Sequence, residues 1–105
     1  YSLTGLGENN PEGIVLMNNP ADIEIRNGTI SRWRIGIAAG SGGSAHIHHV
    51  RANANLIRGI NLAGAASLVE NCIVENTGGI SGDIMGILVG QNSIVRQCIC
   101  RNNSG

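Results

Sequence analysis

Two ten-residue stretches share one pattern of apolar and polar positions. SLVENCIVEN (Ser67 to Asn76) and SIVRQCICRN (Ser93 to Asn102) both read Ser, two aliphatics, two polar residues, Cys, an aliphatic, another apolar residue, a charge and Asn. IEIRNGTI (Ile23 to Ile30) and HIHHVRA (His46 to Ala52) fit the same frame more loosely. Aligned on Ile25, Ile47, Val69 and Val95, the copies step by 22, 22 and 26 residues. A second phrase interleaves with the first: GIVL at Gly13, GIAA at Gly36, GINL at Gly59 and GILV at Gly86, with steps of 23, 23 and 27. Two phrases that share a period and lengthen at the same step belong to one repeat. A period in this range is the mark of a solenoid.

Each phrase is short, rich in β-branched residues and alternating, which predicts a strand. Asn, Gly and Ser fill the intervals and predict turns. No window long enough for a helix is free of Gly and Asn. Copies of one strand then stack parallel and in register, about 4.8 Å apart. The predicted fold is all-β: a right-handed parallel β-helix of about four to five coils, each of roughly 22–27 residues. One domain spans residues 1–105, with repeats at roughly 1–20, 21–43, 44–65, 66–91 and 92–105.

The frame also predicts inward columns. One holds Ile25, Ile47, Val69 and Val95; a second Gly28, Val50, Cys72 and Cys98; a third Ile30, Ala52, Val74 and Cys100. The interleaved strand contributes Ile14, Ile37, Ile60 and Ile87, then Leu16, Ala39, Leu62 and Val89. Gly13, Gly36, Gly59 and Gly86 read as the corner leading into the second sheet, where a bend or a close backbone approach needs Gly. Asn27, His49, Asn71 and Gln97 read as an imperfect ladder of stacked amides; left-handed turn geometry, which Asn tolerates, is the alternative.

Composition agrees with a narrow core. Aromatics are 2% of the chain, with no Phe, so aliphatics, Ala and 16 Gly must fill the interior. All seven basic residues are Arg, and seven acids balance them to a formal charge of +0. Balanced, unclustered charge argues against nucleic acid as a partner and against electrostatic docking to a membrane. No apolar run has the length of a membrane span.

The stretches DIEIRNGTISRWRIGI, NANLIRGINL and SLVENCIVENTGG, continuing to GILVGQNSIVRQCICRNNSG, resemble the right-handed parallel β-helix proteins of the pectate-lyase-like superfold. In particular they are similar to its uncharacterised bacterial secreted or surface members, which implies a secreted or cell-surface location. The resemblance runs from about Leu3 to Asn103. It carries fold and not activity, because the superfold hosts lyases, hydrolases, adhesins and tailspikes.

Lyases of that class are expected to hold calcium with clustered carboxylates and to use Arg or Lys as base; its hydrolases use Asp clusters with His. Here Asp22 and Asp83 fall in separate coils, and there is no Lys. No catalytic residue carries over, and no cofactor is expected. The leading reading is a structural or interaction module, non-catalytic in itself, with polysaccharide as its candidate ligand. The alternative is a fragment of a polysaccharide lyase or glycoside hydrolase whose active site lies on other coils. Ice binding wants rows of Thr, and Thr4, Thr29 and Thr77 make none.

Candidate binding residues are few. The extra residues of the longer coil fall in NTGGISGDIM, which makes Ile80 and Asp83 candidates, since solenoid insertions go to loops on one face. SRWR holds Trp33 between Arg32 and Arg34; Trp33 is a surface for a sugar ring or, the favoured reading, a cover for the core edge. HIHH puts His46 and His48 on one outward face, half of a zinc or nickel site. Their register neighbours are Glu24 and Leu68, and Arg26 and Glu70, which supply no evident third ligand, so the favoured reading is a surface charge ladder. Glu75 under Arg101 repeats it. Cys72, Cys98 and Cys100 read as buried, slowly reacting thiols. AAGSGGS (Ala38 to Ser44) lacks the Lys-Ser/Thr of a phosphate loop and reads as a turn. Asn27 and Asn102 head glycosylation sequons. With no polar cap at either end, the chain is expected to be a fragment or to associate end to end with another copy.

Overall fold

The computed structural model describes residues 1–5, 12–16, 23–39, 44–63, 66–78 and 84–104. Their strands are β1 (Ser2–Thr4), β2 (Ile14–Leu16), β3 (Ile23–Ser31), β4 (Ile35–Ala39), β5 (Ser44–Asn53), β6 (Arg58–Leu62), β7 (Ala66–Glu70), β8 (Ile73–Glu75), β9 (Met85–Val89), β10 (Ile94–Arg96) and β11 (Ile99–Arg101). One sheet runs β1-β3-β5-β7-β10, with β8 and β11 continuing it beside β5; the other runs β2-β4-β6-β9. Every pairing is parallel. The molecule is a parallel β-solenoid. No helix among the described residues is long and apolar enough to cross a membrane.

The register follows the sequence columns. Ile25, Ile47, Val69 and Val95 are Cα partners up the stack, as are Ile14, Ile37, Ile60 and Ile87. Ile30, Ala52, Val74 and Cys100 form the third rank, and Leu3 joins it from below. Ile30, Ile37, Ile47, Ile60, Leu62 and Val69 are wholly buried. Removing each such side chain from water stabilises the fold by about 1.5–3 kcal/mol. The solenoid makes about three turns, not four to five. The expectation counted as coils the partial ones that hold β1 and β2 at one end and β10 and β11 at the other.

Two rows of left-handed residues turn each coil. Asn27, His49, Asn71 and Gln97 have φ between 52° and 57°. Arg32, Ala54, Asn76 and Asn102 have φ between 54° and 62°. The first row was expected to be the amide ladder; its residues are instead exposed corners. Asn27 and its sequon therefore lie at a corner and not inside a stack. The amides that turn to the backbone occur elsewhere, at the buried Asn55 and the half-buried Asn103. Asn55 Oδ1 accepts from Trp33 N at 3.0 Å and its Nδ2 donates to Ile30 O at 3.3 Å. Asn103 repeats the pair with Thr77 N and Val74 O, both at 3.0 Å. These side chains satisfy backbone groups at a corner where the strand ladder is interrupted.

Three of the four column glycines belong to the strands themselves, and Gly13 stands just before β2. Gly36, Gly59 and Gly86 are the second residues of β4, β6 and β9. A Cβ on Gly36 would lie 2.5 Å from Gly59 O and 3.0 Å from Asn55 Nδ2; one on Gly59 would lie 2.3 Å from Val74 Cγ1. Close approach to the next coil and to the buried amide is what demands Gly here.

Candidate functional site

The inward residues of β5 are Ala45, Ile47, Val50 and Ala52, so alternation turns His46 and His48 outward. Glu24 is the Cα partner of His46; Arg26, His48, Glu70 and Arg96 are partners up the stack. The side chains, however, bond across diagonals. His48 Nε2 lies 2.8 Å from Glu24 Oε2, and His46 Nε2 lies 2.8 Å from Glu70 Oε1. Arg96 Nε donates to Glu70 Oε2 at 2.7 Å. Arg26 Nε stands 3.8 Å from Glu24 Oε1. Of the expected charge ladder the Glu70–Arg96 rung is present in straight register, whereas His48 bonds Glu24 and His46 takes its place at Glu70.

The two imidazoles stack, with centroids 4.3 Å apart and planes at 27°. His48 Nδ1 also meets His49 Nδ1 at 2.8 Å. Glu24 Oε2 is 3.9 Å from His46 Nδ1. One donor atom each from Glu24, His46 and His48 therefore falls within 4.8 Å of the others. The third donor is Glu24, the register neighbour of His46, which also reaches His48 across the diagonal. The straight columns place Glu24 beside His46 and not beside His48; the diagonal, which long side chains span, brings the three together.

Hydrogen bonds hold these carboxyls below the usual carboxylate range. For Glu24 the chief cause is the bond with His48; for Glu70 it is the bond with His46, then that with Arg96. A second bridge lies further along the same storeys. Glu75 accepts from Arg101 Nε at 2.6 Å and Arg51 Nε at 2.7 Å, with Arg51 Nη2 also in contact. Glu75 is 3% exposed, and its two Arg partners hold its carboxyl below the usual range, Arg101 most strongly.

A groove of about 500 Å³ crosses the leading ends of the strands, lined by Glu24, Ser44, His46, Ser67, Leu68 and Asn92 among others. The remaining candidates lie apart from it. Trp33 packs against the core at a corner, and its indole N–H donates to Leu3 O at 3.3 Å. Arg32 and Arg34 flank it, both exposed. Ile80 and Asp83 lie outside the described residues, as do Asp22 and most of AAGSGGS.

The three thiols are free and differ from one another. Cys72 is buried, and burial pushes its pKa up to about 11. Cys98 is half-buried, whereas Cys100 is exposed, which corrects the expectation of three buried thiols. Among the described residues β11 pairs with β8 alone, and Cys100 is exposed there.

No protein-family model, no curated protein and no solved structure matches the chain.

Proposed function

We propose that the chain is a structural and interaction module, non-catalytic in itself, whose outer face binds an extended carbohydrate along the groove. The observation that carries this reading is the state of the outer carboxylates. Glu24, Glu70 and Glu75 each accept from an imidazole or a guanidinium and sit below the usual carboxylate range. A general acid needs a carboxyl raised toward the working pH. As general acids these three are displaced the other way, and their bonds to imidazole and guanidinium tie storeys together. The groove crosses successive storeys and mixes hydroxyl, amide and aliphatic lining, which suits a chain of sugar units.

A pectate-lyase-like relationship and a secreted or cell-surface location belong to the same proposal and rest on the sequence resemblance. End-to-end stacking is part of the same proposal, and Ile94, Val95 and Ile99 of β10 and β11, all exposed, are the apolar groups it would cover. The test is a glycan array run beside a depolymerisation assay on acidic polysaccharides. Retention of a glycan without new reducing ends or unsaturated products is expected. Turnover by the chain alone would refute the non-catalytic reading, and an array with no retained glycan would refute the ligand class.

A further inference from the structure

We infer that Glu24, His46 and His48 form a binding site for a divalent transition-metal ion of the zinc type. This goes beyond the module reading and does not depend on any glycan. The donors are two imidazoles and one carboxylate, the set that zinc takes at about 2.0–2.2 Å. Tetrahedral bonds of that length place donors about 3.3 Å apart. Glu24 Oε2 already stands 2.8 Å from His48 Nε2 and 3.9 Å from His46 Nδ1. Small rotations complete the set, and the Glu24 side chain, 46% exposed, is free to make them.

The outer ring nitrogens are engaged in the way metal-bound imidazoles require. His46 turns Nε2 to Glu70, which Arg96 fixes in turn, leaving Nδ1 toward Glu24. His48 turns Nδ1 to His49, leaving Nε2 toward Glu24. Such bonds orient the rings and strengthen them as ligands. β5 sets the spacing of the rings rigidly, because both project from one strand face between the buried Ala45, Ile47 and Val50.

Charge predicts the metal class. Arg26 beside Glu24 and Arg96 beside Glu70 neutralise the two carboxylates. The site therefore has no excess of negative charge to attract calcium, which wants six to eight oxygens. It favours ions that seek imidazole nitrogen. Three protein donors leave a coordination position on the solvent side, beside the groove that Glu24 and His46 also line.

The test is calorimetric titration of the whole chain with Zn²⁺ and, in parallel, Ca²⁺, followed by visible spectra with Co²⁺. One Zn²⁺ per chain, no calcium uptake and weak d–d bands without thiolate charge transfer are expected. His48→Ala removes saturable binding, and Glu70→Gln weakens it about tenfold by loosening His46. Glu24→Gln, at an exposed side chain, covers the case in which a His variant fails to fold; it also lowers affinity at least about tenfold. Circular dichroism monitors the β signal throughout. The inference fails if the wild-type chain takes up no Zn²⁺ saturably, or takes up calcium equally. It also fails if Glu24→Gln and a folded His46→Ala/His48→Ala variant bind as well as wild type, or if Co²⁺ shows thiolate bands from Cys98 and Cys100.

Discussion

The two faces of β5 differ in what each storey repeats. Inward, Ile47 and Ala52 are steps in columns that stay apolar from coil to coil. Outward, His46, His48 and Arg51 have different neighbours above and below. Two bridges on the outer face sharpen the contrast. Both centre on a carboxylate that joins three storeys: His46–Glu70–Arg96 and Arg51–Glu75–Arg101. The second uses two guanidiniums, which stay protonated and bind no metal. The first has an imidazole in place of one guanidinium, and so lends itself to coordination. The interior thus provides a fixed scale of heights, and the exterior uses that scale to place chemistry.

The comparison breaks most severely if the scale is lost. Ile47→Ala removes a wholly buried side chain from the central coil and is expected to destabilise by about 2–5 kcal/mol, measured by denaturant unfolding. Metal binding and the outer bridges should weaken with it, although no outer residue is altered. Asn55→Ala is expected to cost about 1–3 kcal/mol, because Trp33 N and Ile30 O lose their buried partner. An unchanged midpoint in either variant would mean that the columns do not carry the stability assigned to them.

Glu75 tests the fixed bridge. Its carboxyl is depressed in the folded state, so the unfolded chain binds its proton more readily. The bridge is then fully stabilising above the ordinary carboxylate pKa, about 4.3. Its contribution is lost as pH falls from there through the lower folded value. Wild type should show this acid loss in unfolding midpoints, and Glu75→Gln should be less stable near neutrality with a flatter profile across that window. Identical pH profiles would remove the bridge from the account. The smallest effect is expected at Cys100→Ser, within about 0.5 kcal/mol at an exposed position. Thiol labelling should give the order Cys100, Cys98, then Cys72 only on unfolding; early labelling of Cys72 would show that the shaft is open.

Much of this molecule was legible in its repeat. The spacing of Ile25, Ile47, Val69 and Val95 determined parallel stacking, the register and the inward columns, because side-chain alternation leaves one way to bury aliphatics in every storey. The same spacing, read only sideways, put the amide ladder on Asn27 and its successors, at what are left-handed corners. It also set Glu24 beside His46 without joining it to His48. Only the tertiary structure decided that Asn55 and Asn103 turn inward to the backbone, that Cys100 is exposed, and that Glu24 reaches His48 across a diagonal. The reason is physical: a repeat specifies where each Cα stands, whereas hydrogen bonds depend on where long side chains lean, and that is chosen among several neighbours once the coils are stacked.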